Sequence, residues 1–281
     1  MTTMNESFWA GKKIATMNTK GGVGKTTTCL HMGYQLKFKK GLVFQYVDTD
    51  AQESGTNHCN NRANLIGDCL GYSSSERSRP IPEDVKKLVK RIYKDEKPYV
   101  IPNIIKKGGF AAHFKESKGF YDGFIIDTQG ADSKIGREIM VNSDIVIIPV
   151  NPSGLVVAEL KKLIEVIMIA KEFNQSLKVF IVFNRVMANA KKIAKEHIDF
   201  VRNMLDDYLM SNHNLTKEEA MIQVCETVIT ERQDIYNNVD IGLNAFELSK
   251  GKTTDALIQF DTLLDEIEYL CYQYNEHKEV V

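Results

Sequence analysis

The stretch "NTKGGVGKTTT", residues 18–28, constrains the fold of this chain more than any other feature. It follows an apolar run, "KIATMN" at 13–18, and precedes a helical pattern from Lys25 to Phe38. A glycine-rich loop between a strand and a helix is typical of phosphate binding, because backbone N–H groups and the helix dipole face the ligand. The usual pattern G-x-x-x-x-G-K-[ST] is broken, since Thr19 occupies the first glycine position and Lys20 follows it. The sequence therefore predicts a phosphate loop with an additional lysine.

Short apolar runs alternate with helical patterns along the rest of the chain. Most of these runs are apolar on both faces, as buried parallel strands are. The candidate strands are "LVFQYVD" (42–48), "FIIDT" (124–128), "DIVIIPV" (144–150) and "KVFIVFN" (178–184), and the candidate helices span Ser133–Val141, Ser153–Phe173 and Ala190–Met210. This alternation predicts an α/β fold with a doubly wound, mostly parallel sheet flanked by helices.

The domain organisation is predicted from the length of the chain and from the regularity of its strand and helix patterns. We expect residues 1–281 to form a single domain, because a chain of 281 residues can bury a sizeable core. The least regular segment, about 60–118, is interpreted as an insertion between the second and third strands of the sheet. A final helix at about 254–274 is expected to pack on the core through one apolar stripe, formed by Leu257, Phe260, Leu264, Ile267 and Cys271.

Composition argues against several classes of function. The net charge is −1, so any affinity for DNA must come from a local basic patch. The five cysteines are scattered without a C-x-x-C pair, which argues against a disulfide framework, a zinc site or a bridging cluster. The N-terminal residues have no signal-peptide pattern, and the most apolar helical run is interrupted by charged residues. We expect a cytoplasmic protein without a membrane partner.

The residue types of the loop indicate how a phosphate would be held. Lys25 would contact the β- and γ-phosphates of a nucleotide, and the hydroxyl of Thr26 would ligate Mg²⁺. The other loop residues would line the nucleotide, namely Gly21, Gly22, Val23, Gly24 and Thr27. The alternative is a flexible glycine-rich turn without a ligand, but the strand before the loop and the helix after it favour phosphate binding.

Three carboxylates follow the ends of predicted strands. Asp48 and Asp50 belong to "VDTD", and their i, i+2 spacing directs both toward the same side. Asp127 ends "FIID", which is the usual form of an acidic magnesium position. Aspartates also commonly begin loops after strands, which is the structural alternative. Because the carboxyl ends of parallel strands meet at one edge, we expect all three near the loop.

These and further motifs give the chain a close resemblance to the ParA-type partition ATPases of the deviant Walker A class. The matching stretches are "KGGVGKTT" (20–27), "VDTDAQ" (47–52), "YDGFIIDTQG" (121–130), "SDIVIIPVNPS" (143–153), "FNR" (183–185) and "TVITERQDIYNNVDIGLNAFE" (227–247). The last two stretches are most similar to the short plasmid-type proteins such as ParF, which lack an N-terminal helix-turn-helix domain. The resemblance implies a P-loop NTPase fold.

The resemblance also implies roles for individual residues, with ATP and Mg²⁺ as cofactors. Lys20 matches the signature lysine, which crosses the interface of an ATP-bound dimer to the partner's phosphates, like an arginine finger supplied in trans. Asp50 would position or activate the attacking water, and Asp48 and Asp127 would organise Mg²⁺ together with Thr26. Asn184 and Arg185 would border the adenine.

The resemblance further implies partners and location. The ATP-bound homodimer would bind DNA without sequence specificity, associate with the nucleoid, and be released when a ParB-type centromere-binding protein stimulates hydrolysis. Nonspecific DNA binding requires aligned basic side chains. The candidates are Lys191, Lys192, Lys195, Arg202 and Arg232. A basic run such as 191–202 is also commonly just the solvated face of a helix.

Three other functions are possible for such a loop. A MinD-like positioning ATPase would bind membranes through a basic amphipathic C-terminal helix, whereas residues 261–281 are acidic here. A relative of the nitrogenase iron protein would need paired interface cysteines for a shared cluster, and no such motif is evident. A P-loop ligase or kinase acting on a small molecule would not need a lysine such as Lys20 that contacts the phosphates bound by a second subunit.

Overall fold

A computed structural model describes residues 7–70, 82–94, 98–152, 156–232 and 241–279. Seven strands within these ranges form one sheet in which every pair of neighbours is parallel. The strands are β1 (Lys13–Thr16), β2 (Phe44–Asp48), β3 (Asn103–Ile105), β4 (Gly123–Asp127), β5 (Ile145–Val150), β6 (Lys178–Val186) and β7 (Ile222–Thr230). Their order across the sheet is β3-β2-β4-β1-β5-β6-β7. The predicted parallel α/β fold is therefore confirmed.

Helices connect the strands and cover both faces of the sheet. They are α1 (Lys25–Lys40), α2 (Ser54–Cys69), α3 (Glu83–Tyr93), α4 (Phe110–Glu116), α5 (Lys134–Asn142), α6 (Val156–Phe173), α7 (Lys191–His213), α8 (Lys217–Ala220), α9 (Ala245–Leu248) and α10 (Asp255–Glu279). Helix α1 ends where Gly41 adopts a left-handed conformation (φ 74°) and its N–H caps the last carbonyls, after a turn rich in lysine.

The core lies on both sides of the sheet, because the central strands are apolar at every position. In β1 and β5, Ala15 and Val146 face the side that α5, α6 and α7 cover. The alternate residues Ile14 and Ile145 face the side that α1 and α10 cover. Phe260, Leu264, Ile267 and Cys271 of the α10 stripe are buried on that second side, whereas Leu257 packs in a separate small cluster with Ala245 and Ala256. Burial on both faces explains why these strands are continuous apolar runs.

Six of the helices and strands named above were missing from the sequence interpretation, namely α2, α4, α8, α9, β3 and β7. Strand β3 has only three residues and is half-exposed at the edge of the sheet, so it carries a weak pattern. It pairs with β2, so segment 60–118 contributes a strand to the sheet as well as helices, and Phe110 of α4 lies in the core. Strand β7 has exposed and half-buried positions within it, because it forms the opposite edge.

The order of the strands determines where a ligand can bind. Strand β1 lies between β4 and β5, and the chain turns to opposite sides of β1 to form them. In such sheets the crevice lies beyond the carboxyl ends of the strands where the order reverses.

The five cysteines are all free, four of them buried. Among the described helices, none is both long enough and apolar enough to cross a bilayer.

Candidate functional site

The loop between β1 and α1 has a backbone that requires glycine. Gly24 precedes α1 with a φ of 90°, and Gly22 has a φ of 73°. These left-handed conformations strain any residue with a side chain. Space is also restricted, because a Cβ added to Gly24 would lie 2.3 Å from Nδ2 of Asn184. The loop is therefore shaped by its backbone and by a neighbour that is distant in the sequence.

A pocket of about 410 Å³ opens beside this loop, at the carboxyl ends of the strands. Its volume is in the range of small-ligand sites, which span roughly 300–1,000 Å³. The wall combines loop residues with residues that follow β2, β4 and β7 and with two residues near the end of β6. The lining residues are Gly21, Gly22, Gly24, Lys25, Thr26, Thr27, Asp50, Gln52, Ser54, Gln129, Asn184, Arg185, Glu231 and Arg232.

The two loop lysines occupy different environments. Lys25 lines the pocket, is buried, and donates from Nζ to the carbonyl oxygen of Lys20 at 3.2 Å. Lys20 is exposed and lines a separate small cleft together with Asn18 and Glu159. Its own N–H donates to Oδ1 of Asn18 at 2.9 Å, which fixes the backbone while the side chain remains at the surface. Lys25 therefore lines the pocket of its own chain, and Lys20 does not.

Asp127 lies at the end of β4, beneath the pocket. Its Oδ2 accepts hydrogen bonds from the hydroxyl of Thr26 at 2.5 Å and from the hydroxyl of Tyr46 at 2.7 Å. Its Oδ1 is buried and has no hydrogen-bond partner among the described residues. Burial raises the pKa of the Asp127 carboxyl to about 6, and the nearby charge of Asp48 acts in the same direction against the two hydroxyl donors.

Asp48 and Asp50 have different surroundings although they are two residues apart. Asp48 is fully buried, and its carboxylate accepts from the N–H of Asp50 at 3.1 Å and from the N–H of Thr56 at 2.9 Å. These bonds connect the end of β2 to the start of α2. Asp50 lines the pocket, and its carbonyl oxygen accepts from Nζ of Lys107 at 3.2 Å. Asp48 thus holds the loop that places Asp50 at the pocket.

The donor set fits a magnesium ion that shares its coordination with phosphate. Within the described ranges, no group of three or more His, Cys, Asp or Glu side chains is arranged to hold a metal. Mg²⁺ does not need one, because it commonly uses one or two protein ligands together with substrate phosphates and waters. The hydroxyl of Thr26 and the unpartnered Oδ1 of Asp127 are suitable hard oxygen donors next to the phosphate loop.

Asn184 and Arg185 brace the loop from the side. Asn184 donates from Nδ2 to the carbonyl oxygen of Val23 at 2.9 Å. Arg185 donates from Nη1 to the carbonyl oxygen of Gly22 at 2.7 Å and from Nη2 to the carboxylate of Glu231 at 2.6 Å. The pairing of β6 with β7 shifts register here, and Arg185 has a φ of 57°. This irregularity directs both side chains toward the loop.

The basic residues proposed from the sequence as a DNA surface do not form one cluster. Arg202 is paired with Glu226 and also donates to the carbonyl oxygen of Val224 at 2.7 Å, so it faces β7. Arg232 lines the pocket and pairs with Asp255 at 3.1 Å. Lys192 and Lys195 are exposed near the start of α7, and the side chain of Lys191 lies outside the described part.

Some pocket residues were missing from the sequence interpretation. They are Gln52, Ser54, Gln129 and Glu231. A signal existed for Gln52, Ser54 and Gln129, because they follow the carboxyl ends of strands that the sequence predicts. Glu231 was the hardest to find, since β7 itself was not predicted and only its end brings this carboxylate to the pocket.

A parallel sheet with a glycine-rich loop after its first strand, opening a helix at a pocket, defines a P-loop nucleotide-binding protein. Residues 11–179, more than half of the chain, match the family model described as AAA domain. The chain belongs to this AAA domain family. It matches no curated protein sequence.

Solved structures agree with this assignment of the fold. A plasmid partition protein from Borrelia burgdorferi B31 bound to AMPPNP is 18% identical, with a TM-score of 0.55 over 92% of this chain and 98% of that chain. The MinD cell division protein of Aquifex aeolicus is 17% identical, with a TM-score of 0.54 over 90% and 96%. Cobyrinic acid a,c-diamide synthase from Mycobacterium smegmatis, with bound ATP analogue and magnesium, is 16% identical, with a TM-score of 0.55 over 91% and 93%. The P-loop NTPase fold that the resemblance implies is therefore confirmed.

Proposed function

We propose that this chain is a ParA-type partition ATPase, which uses ATP to form a dimer that binds DNA without sequence specificity. The observation that carries the proposal is the separation of the two loop lysines. Lys25 lines the pocket, whereas Lys20 is exposed and lines another cleft. A second lysine in a phosphate loop that does not serve its own pocket is suited to serve the pocket of a second copy. The resemblance implies the same arrangement.

ATP with Mg²⁺ is the ligand that the pocket suits best. The Borrelia protein carries AMPPNP and the Mycobacterium synthase carries an ATP analogue and magnesium, on the same fold. When bound, the ion would neutralise charge on the phosphates. Thr26 and Asp127 would hold it, through the hydroxyl and the unpartnered Oδ1, and Asp48 would support them by fixing the neighbouring loop.

The remaining pocket residues would bind and orient the nucleotide. The backbone of Gly21–Thr27 would surround the phosphates, and Lys25 would contact the β- and γ-phosphates. Asp50 would orient the attacking water, since it is the carboxylate that reaches the pocket wall. Asn184 and Arg185 lie on the opposite side of the loop from β2, which suits a role beside the adenine.

The lysine assignment is tested by Lys20→Ala. We expect this variant to bind ATP normally, because Lys20 does not line the pocket of its own chain, but to lose ATP-dependent dimerisation and hydrolysis. Lys25→Ala should lose nucleotide binding itself. Lys115→Ala, which removes an exposed lysine from α4, serves as the matched control. Nucleotide titration, light scattering in ATP and ADP, and phosphate release would be measured. Normal dimerisation and turnover of Lys20→Ala would contradict the proposal.

The role of Asp50 predicts a different defect. Asp50→Ala removes the carboxylate at the pocket wall but leaves the phosphate loop intact. We expect slow hydrolysis, with an ATP-bound dimer that persists on DNA. Rapid dissociation of that dimer in ATP would show that Asp50 does not act in hydrolysis.

DNA binding and stimulation by a ParB-type partner distinguish this proposal from a MinD-like positioning ATPase. We expect the protein to retain nonspecific DNA only in ATP, and we expect this DNA binding to weaken as the salt concentration rises. The double variant Lys192→Ala/Lys195→Ala should bind DNA more weakly than the wild type at the same salt concentration. The nucleoid location proposed for the ATP state depends on the same property. ATP-dependent sedimentation with anionic vesicles, without DNA retention, would favour the MinD-like function instead.

A further inference from the structure

Tyr46 reaches the candidate magnesium site from the neighbouring strand. It lies in β2, is fully buried, and donates its hydroxyl to Oδ2 of Asp127 at 2.7 Å. The same oxygen accepts the hydroxyl of Thr26 at 2.5 Å. Oδ2 therefore has two hydroxyl donors, while Oδ1 has no partner among the described residues. The two oxygens of one buried carboxylate are thus used differently.

The fold makes room for this tyrosine at the start of α2. A Cβ added to Gly55 would lie 1.8 Å from the hydroxyl oxygen of Tyr46 and 2.3 Å from Cζ. Gly55 lies within a helix and has no left-handed φ, so its backbone conformation does not require glycine. The space occupied by the Tyr46 ring is what excludes a side chain there. Tyr46 and Gly55 form a matched pair behind Asp127.

We propose that Tyr46 is a positioning residue that orients the Asp127 carboxylate for Mg²⁺, a role that rests on the proposed ATPase function. The Tyr46 hydroxyl and Thr26 together occupy Oδ2 and prevent the carboxylate from rotating, which leaves Oδ1 as the acceptor for the ion or its waters. Hydrogen bonds that orient metal-binding groups commonly affect metal affinity by about 10- to 100-fold. Tyr46 does not line the pocket itself, so its effect passes through Asp127.

A positioning role for Tyr46 and a purely structural role predict different effects on nucleotide affinity. A structural role would change the affinity measured with Mg²⁺ and the affinity measured without Mg²⁺ together. Without Mg²⁺, the nucleotide is held by the loop backbone and Lys25, neither of which contacts the Tyr46 hydroxyl. With Mg²⁺, the orientation of Asp127 contributes to binding. Removal of the hydroxyl should therefore weaken the magnesium-dependent part of nucleotide affinity and leave the magnesium-free part unchanged.

The test is Tyr46→Phe in the full chain, which keeps the ring that fills the space beside Gly55. Binding of a fluorescent ATP analogue would be titrated with and without Mg²⁺, and Mg²⁺ would be titrated at fixed nucleotide. The matched control is Tyr34→Phe, because Tyr34 is another buried tyrosine whose hydroxyl lies 2.8 Å from a side-chain partner, Nε2 of His58, away from Asp127. We expect the Mg²⁺ concentration for half-maximal binding to rise at least about tenfold in Tyr46→Phe only.

These measurements distinguish failure of the Tyr46 positioning role from failure of the proposed ATPase function. Wild-type magnesium dependence together with an unchanged Tyr46→Phe variant would overturn the positioning role and leave the ATPase proposal standing. A wild-type protein that binds ATP equally well with and without Mg²⁺ would overturn the positioning role, whereas one that binds no ATP under either condition would overturn the proposed function as well. If Tyr46→Phe also lost magnesium-free binding, the tyrosine would be a packing residue, and the inference would be wrong.

Discussion

A buried ion pair connects α2 and α9, and its contribution to stability can be measured. Arg62 and Glu247 are both fully buried and form two hydrogen bonds, from Nη1 to Oε2 at 2.8 Å and from Nη2 to Oε1 at 2.9 Å. Arg62 also donates to the carbonyl oxygens of Tyr99 at 2.5 Å and Gly242 at 2.9 Å. The guanidinium lies 5.2 Å from the ring centre of Tyr34. The charge of Arg62 is therefore neutralised, and four of its five N–H donors form these hydrogen bonds.

Replacing one partner should be costly. Arg62→Met leaves the Glu247 carboxylate buried without a counter-charge, and removing one member of a buried pair typically costs about 3–5 kcal/mol. We expect the free energy of unfolding to fall by that amount. The double variant Arg62→Met/Glu247→Leu removes both charges, so it should lose less than the single variant, because burial of an unpaired carboxylate no longer contributes.

The assay is urea unfolding followed by circular dichroism, for the wild type, both single variants and the double variant. Unchanged m-values would show that the same surface is exposed on unfolding. A loss below about 1 kcal/mol for Arg62→Met would mean that the pair is not desolvated as described. A double variant less stable than Arg62→Met would refute the argument that the unpaired charge dominates the cost.

Two further predictions concern the loop and pH. Gly24→Ala should lower ATP affinity and destabilise the nucleotide-free protein by at least about 1 kcal/mol, because its Cβ would collide with Asn184 and its φ is left-handed. In Gly21→Ala the new Cβ would meet nothing within 4 Å, so similar unfolding curves for the two variants would contradict this. Burial lowers the pKa of His31 from 6.5 to about 4, so the unfolded chain takes up this proton at a higher pH than the folded chain does. The contribution of His31 to stability is therefore fully present above about pH 6.5 and decreases by about 3 kcal/mol as the pH falls toward 4, while the raised pKa of Asp127 acts in the opposite direction over the same range. His31→Phe should remove this part of the pH dependence in urea unfolding, and an unchanged slope would refute the assignment.

Much of the fold could be predicted because its signals are local. The apolar runs mark buried parallel strands, and a glycine-rich loop before a helix requires a strand–loop–helix unit. Asp48 and Asp127 could be placed at one edge because parallel strands end together, and β2 and β4 indeed pair these two residues directly. Edge strands such as β3 and β7 were missed, since strands that are partly exposed lack a continuous apolar run.

The phosphate loop, the parallel α/β class and the candidate carboxylates could be predicted from the sequence alone, because each depends on residues close together along the chain. The oxygens of those carboxylates that remain available, and the side chains that brace the loop, are visible only in the folded chain. Tyr46 and Asp127 are 81 residues apart, and Arg185 and Gly22 are 163 apart. Such contacts depend on the order of the strands and on the space left by residues such as Gly55. No local pattern encodes that order, which is why the surroundings of the site became visible only in the folded chain.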